Sequence, residues 1–245
     1  MIPTISTRGF YDLSSGVKLN KKSYNLSLKK QFTHLENVNE FCVVIHGLRN
    51  DRASAREKFS LVQKRLKQLG YTYPIVGFTY DSNTRGAHLK KYEKHALCIG
   101  QKIAVKNGKN LAQFIINFKN HSPTVKIRLL GHSLGSLVIS STLENLSRMN
   151  VCGAVQRAYL FGSSLPADIT QSVLYGDMIK NTTKCGILNY YSSNDSVLKY
   201  AHNTRQISRP LGLFGGKNEN GFVHKKLDVE NHRFISDIST LWSFP

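Results

Sequence analysis

Most of the information about the fold lies in one stretch, Ile127-Arg128-Leu129-Leu130-Gly131-His132-Ser133-Leu134-Gly135. Its first residues are mostly apolar, as is typical of a short strand buried on both faces of a sheet. The pattern G-x-S-x-G follows, and an apolar periodicity suited to a helix over about 134–149 comes directly after it. A serine placed between a buried strand and a helix is the setting of a nucleophile elbow. The sequence therefore predicts a strand–turn–helix unit with Ser133 at its turn.

The same alternation of strand-like and helix-like segments extends in both directions from this unit. Short apolar runs predict further strands at 41–45, 74–80, 158–161 and 187–191, and alternating apolar residues predict another at 223–229. Apolar residues at helical spacing predict helices through 59–69 and 111–118, with helical turns over 168–181 and a last helix over about 232–242. Strands that alternate with helices indicate an α/β fold with a mainly parallel central sheet and helices on both faces. In such a sheet the reactive residues lie at the carboxyl ends of the strands.

The chain of 245 residues suits one catalytic domain, which we place at 37–245. Residues 1–36 are polar and basic with scattered apolar residues, and we interpret them as an N-terminal arm or as edge strands. The N-terminus lacks a basic segment followed by an apolar core, so no signal peptide is expected and the cytoplasm is the expected location. No apolar stretch is long enough for a membrane-spanning helix.

The four cysteines form no C-x-x-C pair, so the sequence indicates no zinc site, and no metal site is expected. Cys42 and Cys185 adjoin strand-like runs, and we expect both to be small buried apolar residues in a reducing compartment.

The formal net charge of +19 creates a field that attracts anions. Lysine and arginine are densest at 18–30 and 85–109, and the plainest interpretation places them on solvated faces. An anionic membrane surface is a candidate partner, and its attraction would weaken with salt. No nucleic-acid-binding motif is present, so nucleic acid is not an expected partner. No feature of the sequence bears on oligomeric state.

The G-x-S-x-G segment predicts that Ser133 is a nucleophile whose oxyanion is stabilised by backbone N–H groups. The N–H of Leu134, at the head of the helix, is the first predicted donor. The loop after strand 41–45 begins with His46-Gly47, and the N–H of Leu48 is the second predicted donor. Gly47 allows close approach to a substrate. We place His46, Gly47 and His132 around the substrate, although a loop-holding role suits His46 better than a catalytic one.

A serine nucleophile needs a base, and the base needs an orienting acid. Asp195, four residues past strand 187–191, is the predicted acid, and His232, just past the last strand, is the predicted base. Asp168 and Asp177 are rival acids, but they follow the preceding strand. The rival bases are His224, which falls within a strand, and His202, which follows the acid too closely. The spacing of the three predicted residues leaves no room for a large lid domain.

From about residue 41 to the C-terminus the chain resembles the α/β-hydrolase superfamily, and most closely its uncharacterised lipase/esterase-like branches. The resemblance lies in the stretches 44–48, 77–82, 131–136 and 193–198 together with His232. It implies a Ser133–His232–Asp195 triad, no cofactor, and hydrolysis of small-molecule or lipid esters. An acyltransferase, a thioesterase or a peptidase would use the same triad. A non-catalytic protein that binds an anionic membrane or nucleic acid is the alternative from another class. Residues 1–36 match no known pattern.

Overall fold

A computed structural model describes residues 1–245. One sheet of eight strands runs through the molecule, in the order β2-β1-β4-β3-β5-β6-β7-β8. The strands are β1 (Thr4–Ser6), β2 (Asn25–Ser27), β3 (Glu40–Ile45), β4 (Ile75–Thr79), β5 (Lys126–His132), β6 (Arg157–Phe161), β7 (Ile187–Tyr191) and β8 (Phe222–Lys226). All neighbours pair in parallel except β1 and β2, which are antiparallel.

Helices cover both faces of this sheet. They are α1 (Lys29–Leu35), α2 (Arg52–Gln68), α3 (Glu93–His121), α4 (Gly135–Arg148), α5 (Val173–Thr182), α6 (Ser196–Asn203), α7 (Leu211–Phe214) and α8 (Phe234–Ser239), with short 3₁₀ turns at Lys90–Tyr92 and Ala167–Gln171. Side chains of a strand alternate between the two faces, so Val43 packs with α3 and α4 while Cys42 and Val44 pack with α2 and α8. This two-sided burial explains why the predicted strands consist of continuous apolar runs.

The predicted strands and helices are present, with two differences at the C-terminal end. The last strand ends at Lys226 instead of Val229, and the last helix covers only Phe234–Ser239. His232 lies in the segment between these two elements, where its ring is hydrogen-bonded to Asp195. The mostly parallel eight-stranded sheet, with helices on both faces and a serine directly after β5, has the α/β-hydrolase fold, and no connection between strands forms a lid domain.

Residues 1–36 add β1, β2 and α1 to the same body. Although β1 is only three residues long, it pairs with β4 on one side and β2 on the other. The buried Asp81 carboxylate, just past β4, accepts three backbone N–H bonds from Gly9, Phe10 and Tyr11 at 2.9–3.0 Å. These bonds attach the segment that follows β1 to the carboxyl end of β4.

The cysteines differ from the expectation in one respect. Cys42 is fully buried, and burial raises the pKa of its thiol above the usual range. Cys185 is exposed, because it lies in the turn that precedes β7 and not in the strand itself, so the expectation of burial was wrong for it. No helix is both long and apolar enough to cross a lipid bilayer.

Candidate active site

Ser133 lies on a tight turn between β5 and α4. Its φ of 54° is in the left-handed region, which costs a residue other than glycine about 1–3 kcal/mol. The two glycines of the motif leave no room for side chains: a Cβ at Gly131 would lie 2.8 Å from the carbonyl oxygen of Gly135, and one at Gly135 would lie 2.6 Å from that of Ile45. The strained turn and the close packing at both glycines are the features that the G-x-S-x-G segment predicts.

The loop after β3 faces this turn. A Cβ at Gly47 would lie 2.8 Å from the Cβ of Ser133, so the loop touches the serine directly. The Asn50 side chain, fully buried, donates hydrogen bonds to the carbonyl oxygens of Gly47 and Leu48 at 2.9 and 2.7 Å. The N–H groups of Leu48 and Leu134 donate to no group of the protein. Two free donors therefore flank Ser133, as an oxyanion hole requires.

Asp195 and His232 come together at the carboxyl end of the sheet. The Nδ1–H of His232 donates to Oδ2 of Asp195 at 2.6 Å, and both side chains are largely buried. The other carboxylate oxygen of Asp195 accepts from the N–H groups of Val197 and Leu198, so this aspartate also caps α6. Its carboxylate is thus fixed from both sides. Since Nδ1 is occupied as a donor, the free Nε2 of His232 is left to act as an acceptor.

A cavity of about 230 Å³ opens over Ser133 and His232. One wall is apolar and comes mainly from α6 and the segment after it, with α3 beside them: Leu97, Val197, Leu198, Ala201 and Ile207. The rest of the lining includes Gly47, Leu48 and His132, together with Lys58 and the ion pair Arg49–Glu93. The structure places Ser133 and His232 on the same cavity, and no hydrogen bond joins them within the protein.

His46, which we had placed at the substrate, lies beneath the loop and does not line the cavity. It is fully buried and stacks on Tyr80 at a centroid distance of 4.7 Å. Nδ1 lies 3.0 Å from the carbonyl oxygen of Gly47, which only accepts, and Nε2 lies 3.2 Å from the guanidinium of Arg8, which only donates. The neutral ring therefore carries its proton on Nδ1. Burial lowers the pKa of His46 to about 3, which keeps the ring neutral and fits the loop-holding role.

His132 lines the cavity behind the nucleophile. It is 4% exposed, its ring stacks on Phe234, and its centroid lies 4.7 Å from that of His232. Its Nε2 lies 3.7 Å from Oδ2 of Asp237, and neither atom has a hydrogen-bond partner. Burial holds the pKa of His132 well below its usual range and raises that of Asp237 to about 7. A second, looser histidine–aspartate pair thus lies directly beside the first.

The four rival residues do not reach this cavity. His224 lies in β8, with Nδ1 3.2 Å from the side-chain amide of Asn189. His202 accepts from the backbone N–H of Arg209. Asp177 is exposed on α5, 3.8 Å from Lys180, and Asp168 lies in the 3₁₀ turn after β6.

Sequence reasoning missed four residues that touch the site or support it. Asn50 and Arg8 hold the oxyanion loop, Asp237 faces His132, and Lys58 reaches the cavity from α2. Asn50 alone carries a local signal, because it precedes the capping box at the start of α2 in a segment that must turn sharply. The other three depend on contacts between distant parts of the chain.

Comparison with known families gives one match. The model of a family described as "Protein of unknown function (DUF726)" matches residues 93–215. The matched segment runs from α3 through α7 and contains Ser133 and Asp195, while His232 follows it. Among curated proteins none matches this sequence.

Solved structures with a similar chain path include several hydrolases. A Trichoderma reesei cutinase in complex with a phosphonate inhibitor is 18% identical over 64% of this chain and 68% of its own, with a TM-score of 0.37. A lipase-esterase related protein from Clostridium acetobutylicum is 10% identical over 80% and 88%, with a TM-score of 0.42. The RedJ thioesterase from Streptomyces coelicolor is 13% identical over 82% and 81%, with a TM-score of 0.43.

Proposed function

We propose that this chain, which belongs to the DUF726 family of proteins of unknown function, is a serine hydrolase that cleaves carboxylic esters through an acyl-enzyme. One observation carries the proposal: His232, which is hydrogen-bonded to Asp195 at 2.6 Å, lines the same cavity as Ser133. The backbone of Ser133 is strained, and two N–H groups near it have no partner in the protein. Nucleophilic acyl transfer needs a nucleophile, an oriented base and oxyanion donors, whereas a serine with only a structural role in a strand–helix turn needs none of these neighbours.

In the acylation step, Oγ of Ser133 attacks the ester carbonyl carbon while Nε2 of His232 takes the hydroxyl proton. The imidazolium that forms is stabilised by the Asp195 carboxylate, which keeps its own charge. The carbonyl oxygen becomes an oxyanion, and its proposed donors are the N–H groups of Leu48 and Leu134, which donate to no group of the protein. When the tetrahedral intermediate collapses, the bond to the alcohol oxygen breaks and His232 returns the proton to the departing alkoxide.

In the deacylation step, water takes the place of the alcohol. His232 accepts a proton from the water as it attacks the acyl carbonyl, and then gives that proton to Oγ of Ser133 as the acid leaves. The Asp195 carboxylate stays in place through both steps because it is also fixed to two N–H groups of α6. The substrates are the ester and water, and the products are a carboxylic acid and an alcohol.

The cavity indicates which esters to try first. Its volume of about 230 Å³ lies below the roughly 300–1,000 Å³ of pockets that enclose drug-sized ligands, and its apolar wall suits an acyl chain. We expect higher kcat/KM for p-nitrophenyl esters of short and medium chains than for those of long chains. Hydrolysis of thioesters, hydrolysis of amides and acyl transfer to an alcohol would use the same residues. Comparing the rates of these reactions on substrates with the same acyl group therefore distinguishes them.

Docking on an anionic membrane stays a prediction that rests on the net charge of +19. Binding to vesicles of phosphatidylserine and phosphatidylcholine that is lost at high salt would support it. Equal binding to neutral vesicles would contradict it.

The test of the proposed function is covalent labelling with a fluorophosphonate probe, followed by ester hydrolysis. We expect the wild-type protein to be labelled, and Ser133→Ala and His232→Ala to lose labelling and hydrolysis. His202→Ala is the matched control, since this histidine lies outside the cavity and the variant should be labelled like the wild type. A folded wild-type protein that neither takes the probe nor hydrolyses any ester would refute the proposal.

A further inference from the structure

A second groove continues from the cavity on the far side of His232. It lies between α2 and α8, and Lys58 and His232 line both spaces. Its floor is apolar, built from Leu61, Val62, Phe234, Ile235 and Ile238. The site is therefore two-sided, with the α6 wall on one side of His232 and the α2–α8 groove on the other.

The chemistry of the proposed triad assigns a part of the substrate to each side. His232 must hand its proton to the departing alkoxide, so the alcohol oxygen has to lie against its Nε2. The cavity beside Ser133 and α6 is apolar and suits the acyl chain. The groove that begins at His232 is then the space into which the alcohol portion extends.

Lys58 stands where the two spaces meet. The other permanent cation of the cavity, Arg49, is paired with Glu93 at 2.8 Å, whereas Lys58 forms no ion pair and no hydrogen bond. Lys58 is half-buried, and burial lowers the pKa of its amine, while the charge of Glu57 has a smaller, opposite effect. A partly desolvated ammonium without an ion-pair partner is unfavourable, and an anionic group of a ligand would relieve that cost.

The charges around the groove leave room for such an anion. Glu57 is the one carboxylate that lines it, and it lies on the exposed side of α2. Lys58 and Arg233 are the two cations, and neither is paired. The groove therefore has a net positive charge at neutral pH.

We propose that the esters this protein cleaves carry an anionic group, a phosphate or a carboxylate, on their alcohol portion, and that Lys58 binds it. This inference rests on the proposed function for the direction in which the substrate lies. The binding of an anionic alcohol beside His232 follows from the groove alone.

The kinetic test uses three esters with one acyl group: butanoylglycerol, butanoylglycerol phosphate and butanoylglycerate. We expect the wild type to prefer both anionic esters over the neutral one by about tenfold in kcat/KM. Lys58→Met should bring that ratio close to one, because the variant loses more kcat/KM on the two anionic esters than on butanoylglycerol. Lys58→Arg should keep the preference. Lys64→Met, an exposed lysine of the same helix, should behave like the wild type.

Three outcomes of the kinetic test have defined meanings. A preference for one anion only identifies it as the natural group and supports the inference. Equal kcat/KM on all three esters in the wild type would overturn it. A Lys58→Met variant that loses rate equally on all three would also overturn it, since that pattern indicates a general structural effect.

A binding measurement separates this inference from the proposed reaction. Titration calorimetry of Ser133→Ala with glycerol phosphate should show binding that is lost when Lys58→Met is added. Such binding supports the inference even if no ester is cleaved. No difference between the two proteins overturns it, even if fluorophosphonate labelling and ester hydrolysis are normal.

Discussion

Asp237 allows a quantitative test of how the buried groups beside the active site are ionised. Its side chain is buried on α8 with Oδ2 lacking a hydrogen-bond partner, and Oδ2 lies 3.7 Å from Nε2 of His132. Burial is the main cause that raises the pKa of Asp237 from 3.8 to about 7, with His232 lowering it and the nearby Asp195 raising it. The change to make is Asp237→Asn, which keeps the shape of the side chain and removes the ionisation.

The size and sign of the effect follow from the pKa. Above pH 3.8 the unfolded chain has lost this proton, while the folded protein keeps it until about pH 7. The folded state therefore binds more protons in this window, and the Asp237 contribution to stability falls as pH rises through it. Each pKa unit corresponds to about 1.4 kcal/mol, so the cost above pH 7 is on the order of 4 kcal/mol. The uncharged amide of the Asp237→Asn variant does not bear this cost.

The assay is urea unfolding of the wild type and Asp237→Asn from pH 4 to pH 8. We expect nearly equal free energies of unfolding at pH 4 and an advantage for the variant that grows to a few kcal/mol at pH 8. The buried neutral His46 loses stability in acid by the same amount in both proteins, so its contribution cancels in the difference. Asp177→Asn, on the exposed face of α5, is the control and should show no such trend. A stability difference for Asp237→Asn that does not change with pH would refute the reasoning.

Two further predictions concern a close contact and a buried ion pair. Gly47→Ala places a Cβ 2.8 Å from that of Ser133, so we expect fluorophosphonate labelling to be about 100-fold slower. The free energy of unfolding should fall by only about 1–3 kcal/mol, and labelling at the wild-type rate would contradict the prediction. Glu40→Ala leaves the buried Arg128 unpaired and should cost about 3–5 kcal/mol in urea unfolding, whereas Glu144→Ala, which breaks an exposed pair, should cost less than about 1 kcal/mol. Equal costs for the two glutamates would contradict the argument from burial.

The strained turn at Ser133 was predictable because its signals are local. A buried strand, a five-residue turn and a helix follow one another without a gap, so the position of Ser133 depends on neighbours in the sequence alone. Asp195 and His232 lie 37 residues apart, but each follows a strand, and parallel strands end at the same edge of the sheet. Their meeting was predicted from topology, and the structure places them at 2.6 Å.

The residues that were missed depend on contacts with no periodic signal. Lys58 is one of several lysines and arginines on an amphipathic helix, and only the path of α8 leaves it beside His232. Asp237 lies in the first turn of a helix, where an aspartate is normally a favourable surface residue. Its burial against His132 results from how α8 packs on the sheet, which the local sequence does not encode. For Cys185 the expectation of burial was wrong because the exact start of the strand decides its exposure. Only one residue separates Cys185, in an exposed turn, from the buried strand β7.

The N-terminal segment shows how the parts with the weakest sequence signal support the site. The Arg8 guanidinium donates to Nε2 of His46 and to the carbonyl oxygens of Asn50 and Asp51. His46 and Asn50 are both hydrogen-bonded to the carbonyl oxygen of Gly47, and Asn50 also donates to that of Leu48. The N–H of Leu48 directly follows the carbonyl group of Gly47 in this loop. A hydrogen bond to an oxyanion is strong only if the donor is fixed before the charge develops. The arm that resembles no known pattern therefore supports the loop that carries the N–H of Leu48, the proposed oxyanion donor, and it joins the sheet through a strand of three residues.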